Sequence, residues 1–282
     1  IDQNVRSQEV DKQFAQHWGD LALPNIGTYP LSHKIHAGHA IDFIRYAATV
    51  QGNYETAITA ALSAKEKALT YNNVHRYQKT IAAPWLINKI FGRWDQLIGH
   101  EPSHSDLPYL DGIHAYALGS ALLATGDMQG ATEQMGKLQA IVNAPDADKY
   151  RAGPTPVSSI LKLAALGLAG EMMQAKGDYD SAISVFKEAV ALEDLNNYTE
   201  PPDWAQPMRH YLGAALLAAG KSEEAEVVYR RDLRWNHNNG WSLFGLQQAL
   251  EAQGKKAQAA EVGLQFKLAW RFADVELVAS HL

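Results

Sequence analysis

The chain has no cysteine, and that single absence excludes disulfides, zinc–thiolate sites and thiol nucleophiles together. It also has no basic excess. With a net charge of −6 and a pI near 6.0, it lacks the basic patch expected of a nucleic-acid binder, so no nucleic-acid partner is expected. No apolar run reaches the roughly 18 residues that a membrane-spanning helix requires, and no membrane insertion is expected. No secretory leader is visible, although the chain opens on Ile1 rather than Met. The lack of cysteine leans toward a periplasmic or otherwise exported protein, and a cytoplasmic one is also compatible. Several catalytic signatures are missing too: there is no HExxH, no G-x-S-x-G elbow and no glycine-rich phosphate loop. No stretch alternates apolar and polar residues strongly enough to predict a strand.

What is present is helix, repeated. The run Leu163 to Leu192 holds two amphipathic segments broken at Lys176-Gly177-Asp178. Gly170 and Ala182 are small where two helices would cross, and Phe186 and Ala189 continue the apolar stripe at helical spacing. The same arrangement recurs. A turn glycine is followed five residues later by a small or apolar residue at Gly52/Ala57, Gly92/Leu97, Gly126/Ala131, Gly177/Ala182, Gly220/Ala225 and Gly254/Ala259. The glycines are 40, 34, 51, 43 and 34 residues apart.

On these residues the chain resembles the tetratricopeptide-repeat family, whose unit is about 34 residues. The best units are Gly119, Leu122, Gly126 and Ala131; Gly170, Gly177, Ala182, Phe186 and Ala189; and Leu212, Gly213, Leu216, Gly220, Ala225 and Tyr229. The run from Tyr198 to Gly254 is similar to a bacterial branch of that family akin to the animal tetratricopeptide-repeat protein 38. The residues that carry this are Glu200, Pro201, Pro202, Trp204, Pro207 and Arg209, then Asn239, Gly240, Trp241, Ser242 and Leu243, with His237 where a proline is usual. The resemblance implies an all-α fold, a right-handed α-solenoid of about six hairpins. A lone N-terminal helix would precede it and a C-terminal helix, in 273–282, would cap its open end.

Residues 1–34 read as the helix of a truncated repeat plus a loop, and 35–282 as one continuous repeat domain. Val5, Val10, Phe14 and Trp18 lie at helical spacing in the first segment, as in the second helix of a hairpin. The expectation is a C-terminal part of a longer protein. The unit around Gly92 is degenerate, because its first helix carries Pro84 and its partner is Leu97. Residues 143–156 read as a stiff surface insertion.

In this family the first helix of each hairpin lines the concave face. Carried over, that places His39, Asp42, Phe43 and Tyr46, then Ile113, Tyr116 and Ser120, then Glu171, His210 and Tyr211, then Trp241, Phe244 and Gln248 on the inner side. The candidate ligand-binding set is His39, Asp42, Tyr46, His114, Tyr116, Glu200, Trp204, Arg209, His210 and Trp241. Phe43, Tyr211 and Phe244 are equally suited to packing between helices. Glu200 is expected to order the Pro-Pro loop through Arg209 or a backbone amide, Asp203 to face solvent, and Glu171 to be the groove-facing residue of its hairpin. His33, His36 and His39 recur every third residue, so His36 and His39 could share a divalent metal, although Gly38 and Pro30 oppose a continuous helix there. His100, His104 and His114 form a looser group.

Two functions follow. The first is a scaffold that holds a peptide or partner-protein segment, or the chain's own N-terminal half, in the groove, without a cofactor. The alternative is a metal-binding or enzymatic pocket built from His39, Asp42, His114 and His210.

Overall fold

A computed structural model describes residues 1–18, 33–70, 74–99, 107–144 and 149–282, with backbone only at 11, 12, 14–18, 33–38, 75 and 76. Among these residues the chain is all-helical apart from two very short strands. α1 (Asp2–Trp18) leads into α2 (His33–Val50) and α3 (Tyr54–Leu69), and α4 (Val74–Ile90) is followed by a single 3₁₀ turn at Trp94–Gln96. Then come the pairs α5 (Pro108–Ala124) and α6 (Met128–Val142), α7 (Val157–Ala175) and α8 (Tyr179–Glu193), α9 (Met208–Ala218) and α10 (Ser222–Trp235), and α11 (Gly240–Ala252) and α12 (Lys256–Ala269). Each helix packs chiefly on its neighbours in sequence. None of the described helices is long and apolar enough to cross a membrane.

The turns explain the pairing. All six turn glycines have positive φ, between 63° and 90°, the left-handed conformation in which a side chain is strained. At each one the next residue's N–H reaches back to close the preceding helix. Asn53 N donates to Ala48 O at 2.9 Å, Asp127 N to Leu122 O at 2.8 Å and Asp178 N to Met173 O at 3.0 Å. The same three residues then start the second helix, their side chains accepting from Thr56 N, Gly130 N and Ser181 N at 2.9, 2.8 and 3.1 Å. Gly-Asn and Gly-Asp therefore end one helix and begin the next. The residues five beyond the glycines, Ala57, Leu97, Ala131, Ala182, Ala225 and Ala259, are all buried. A Cβ on Gly170 would lie 2.3 Å from the ring of Phe186, as the small-against-large reading of that hairpin requires.

Four expectations need correction. After Gly92 there is only the 3₁₀ turn, and Arg93 at its start makes no side-chain capping hydrogen bond that would open a longer helix. Residues 143–156 are not wholly a surface loop. Their described end forms a two-residue antiparallel pair, Arg151–Ala152 with Thr155–Pro156, and Ala152 and Thr155 are buried. In α1, Val5 and Val10 are exposed, the latter to 56%, while Ile1 packs with Ile41, Ile44, Ala60 and Ala64. Finally, residues 273–282 contain no helix and cap no open end.

That tail turns back on the chain instead. Trp270 sits between the turn at Gly52 and the start of α11 at Gly240, within 2.3 and 2.2 Å of where a Cβ at either glycine would stand. Asn53 Nδ2 donates to Phe272 O at 2.9 Å, and the Asp274 carboxylate accepts the first N–H groups of α3, from Tyr54 at 2.6 Å and Glu55 at 2.8 Å. Trp241 of α11 donates its indole N–H to Thr49 O at 2.9 Å. Ala48, Ala57, Ile87, Phe91 and Trp241 share one apolar cluster with Trp270, Val275 and Leu277 against it. The first and last hairpins are thereby joined.

Candidate functional site

Two regions bring polar side chains together. The first is buried, on the side formed by the opening helices of the hairpins. Lys89 of α4, 1% exposed, donates to Glu171 Oε1 and to Tyr211 OH, each at 2.7 Å. Ser120 donates to Glu171 Oε2 at 2.6 Å, and His281 from the tail donates its Nε2–H to Glu171 Oε1 at 2.8 Å. Tyr211 OH donates to Gln206 Oε1 at 2.9 Å and lies 2.9 Å from Tyr116 OH. Burial alone would raise the Glu171 carboxyl, but Lys89 and the hydrogen bond from His281 outweigh it and hold it at about 2. Burial also works against the Lys89 ammonium, and Glu171 and Tyr211 more than compensate, so its pKa rises. Burial and the Lys89 charge push His281 down to about 4, which leaves a neutral imidazole. The result is an ammonium, a carboxylate and two phenols with their hydrogen bonds satisfied. This arrangement anchors the tail and leaves no activated nucleophile.

Beside it, Asp232 accepts from Ser242 Oγ at 2.6 Å and Asn236 Nδ2 at 2.8 Å, with His210 Nε2 3.4 Å away. The carboxylate stands between hydroxyl and imidazole. Ser242 therefore donates to the carboxylate, a weak base held ionised, and not to the imidazole that would activate it as a nucleophile.

The second region is open. A cavity of about 350 Å³ is walled by Phe43 and Tyr46 of α2, Glu193 at the end of α8, residues 196–204 of the following loop, and Trp235 and Asn236 at the end of α10. A wider cavity of about 590 Å³ continues it past Tyr46, Trp235 and Asn236 to Gln265 and Arg271. A cleft of about 30 Å³ lies on its other side, lined by Asp42, Arg45, Lys79, Tyr109, Pro202 and Asp203. Burial pushes the Glu193 carboxyl up to about 8, although Met208 N–H donates to it at 2.8 Å. Tyr46 is likewise held up to about 12 by burial, with Asp232 and Glu193 adding to it.

The expected residues divide between these regions. Tyr46, Glu200 and Trp204 line the open cavity, while Tyr116 and His210 belong to the buried network and Trp241 to the closing cluster. The last three are buried, so they line no open groove as expected. The tail occupies the space they were expected to face. His114 is buried edge-on against Trp85, at 5.1 Å between ring centres. His39 is exposed beside Phe43, and Asp42 pairs with Arg45 at 3.4 Å, so the His/Asp set is spread over three helices. Glu200 pairs with Tyr198 rather than Arg209, whose guanidinium forms two bonds to Asp194 at 2.8 and 2.7 Å. Asp203 is buried, not solvated, held by Lys79 and Thr155. Glu171 does face inward, as its place in the hairpin implies, and is sealed there. No three His, Asp or Glu side chains among the described residues are grouped to hold a metal; the His36 side chain, His100 and His104 lie outside them.

Sequence reasoning missed Lys89, Glu193, Tyr198, Trp235 and His281. The one signal in the sequence was Trp235 itself, a large aromatic at the end of a helix rich in charge, which the structure leaves 70% exposed. Comparison of the chain with protein families and with characterised proteins finds no match to either.

Proposed function

We propose that the chain is a tetratricopeptide-like helical-repeat module, a right-handed solenoid of hairpins. Its function is to hold an extended polypeptide segment of a partner protein in the aromatic groove between α2, the 196–204 loop and the end of α10. One observation carries the reading: the same scaffold already holds a non-helical segment of its own. Ser280 donates to His210 O at 3.0 Å and sits 2.6 Å from Tyr229 OH, Gln248 donates to Val278 O at 3.5 Å, and His281 joins Glu171. An inner face that holds Val278, Ser280 and His281 in cis by backbone and side-chain contacts suits the same task in trans. The groove next to it is open and rich in aromatic surface. A His/Asp metal or acid–base pocket draws less support, because His39, His114 and His210 stand on three separate helices with separate partners.

The test is peptide selection on the immobilised full chain, followed by titration of the recovered sequences. Tyr46→Ala and Trp235→Ala are expected to weaken binding by about tenfold or more each, with the helical circular dichroism unchanged. Peptides that bind both variants as tightly as the parent would place recognition elsewhere, and recovery of none would overturn the reading.

A further inference from the structure

The last hairpin departs from the others on its outer face. In α6, α8 and α10 the residues ten and fourteen positions beyond the turn glycine are exposed and either small or charged: Gly136 and Ala140, Lys187 and Ala191, Arg230 and Arg234. In α12 the same two positions hold Leu264 and Leu268, 69% and 63% exposed. Register alone turns these positions to solvent, so the leucines are not left over from an interior packing face. A single exposed leucine needs no explanation, but two on adjacent turns of one helix make an apolar stripe. The tail does not cover it, because 273–282 returns to α3, His210 and Glu171.

The charges beside the stripe say what covers it. Glu261 lies one turn before Leu264, and Glu261, Leu264 and Leu268 fall within about 60° of arc around the helix. At the other end Arg271 donates to Leu268 O at 2.9 Å and lines the same wide cavity as Leu268, which holds its guanidinium beside the stripe. Glu261 and Arg271 are exposed, and neither forms an ion pair among the described residues. Residue 266 is the midpoint of both pairs: 264 and 268 stand two positions either side of it, 261 and 271 five. A two-fold axis at that level sets Leu264 of one copy against Leu268 of a second, and Glu261 of one against Arg271 of the other. We infer that two copies of this chain associate through α12 in this antiparallel arrangement. Parallel helices would instead oppose Glu261 to Glu261 and Arg271 to Arg271. A face about 20 Å long and one helix wide buries on the order of 1,000 Å² over both copies, the low end for specific association, so the dimer is expected to be reversible in the micromolar range. The inference goes beyond the binding-module reading and does not depend on it.

Sedimentation velocity of the full chain from about 1 to 300 μM tests this. The weight-average mass is expected to climb from 31.0 kDa toward twice that value. Leu264→Lys, with unchanged circular dichroism, is expected to weaken association at least about tenfold. Charge exchange tests the geometry. Glu261→Arg alone and Arg271→Glu alone each place like charges at both contacts, and each is expected to stay monomeric. Mixed in equal amounts, the two variants are expected to recover association, because every contact between unlike variants joins opposite signs. Arg271 also holds the end of α12, so if Arg271→Glu loses its helical circular dichroism, Leu264→Lys and Glu261→Arg decide the matter between them. A mass of 31.0 kDa at every concentration, undiminished association in Leu264→Lys or Glu261→Arg, or a mixture of folded variants that associates no better than its components overturns the inference.

Discussion

Glu171, buried, and Glu193, half-buried in the wall of the open cavity, are two carboxyls with opposite fates, and the difference is a directly paired cation. Glu171 has Lys89 at 2.7 Å and stays ionised down to about pH 2, so the stability it contributes is present above the ordinary carboxylate range and lost as pH falls through that range toward 2. Glu193 has no such partner among the described residues, and burial lifts it to about 8. Its folded form keeps a proton that the unfolded chain has already released, so stability falls as pH rises from about 4.5 through 8. Glu193→Gln removes that titration while keeping an acceptor for Met208 N–H. Urea midpoints are expected to be nearly equal for the two proteins at pH 5, and the variant should be more stable at pH 8 by on the order of 1–3 kcal/mol. A constant difference across that range would place the Glu193 carboxyl in water. The inward positions Tyr116, Ser120, Glu171, His210 and Tyr211 were legible by counting back from each turn glycine, because helical periodicity fixes direction. Lys89 was not, since its unit lacks a second helix and a lysine in the last turn of a helix reads as solvated. Glu193 and Trp235 stand at helix ends, where periodicity carries no information about the loop that will cover them.

At the scale of elements, glycine serves two separable purposes. Gly177 has φ of 75°, and nothing among the described residues lies within 4 Å of where a Cβ would stand, so its need is conformational alone. Gly240 has ordinary helical backbone at the start of α11, and its need is steric, because a Cβ would meet the Trp270 ring at 2.2 Å. Gly177→Ala is expected to cost about 1–2 kcal/mol from the left-handed conformation, and Gly240→Ala about 1–3 kcal/mol from overpacking. The Gly240→Ala cost should shrink to a few tenths when Trp270 is replaced by leucine, while the Gly177→Ala cost should not change; thermal melts of the glycine variants in both backgrounds read this. An undiminished Gly240→Ala cost would show that Trp270 is not what the glycine accommodates. The hairpins were legible because glycine, capping Asn or Asp and buried alanine are all within five residues of one another. The insertion at 151–156 was not. Its burial depends on Asp203, 48 residues beyond Thr155.

The whole molecule is held by contacts that no periodic pattern announces. Asp274, Ser280 and His281 are three polar residues in a tail without helical spacing, yet they cap α3, bridge α9 to α10 and complete the Lys89–Glu171 pair. Trp241 and Trp270 close the first hairpin on the last from positions some 190 and 220 residues beyond it. A chain cut after Trp270 loses the cap on α3 and the inner seal on the buried ion pair, and water reaches Lys89 and Glu171. It is expected to melt lower by an amount corresponding to on the order of 3 kcal/mol, since removal of a buried ion pair's partners costs about that much. The synthetic peptide 271–282 should restore the melt when added in trans, because binding the folded form alone raises its stability with ligand concentration. A peptide carrying His281→Ala should restore less, and its deficit should narrow as pH falls from 6.5 toward 4, where the buried imidazole must stay neutral while the free peptide gains a proton. Equal melts for the cut and full chains would show that the hairpins close without the tail. Restoration by the peptide would show that the inner face binds an extended segment presented from outside, the act proposed for the neighbouring groove.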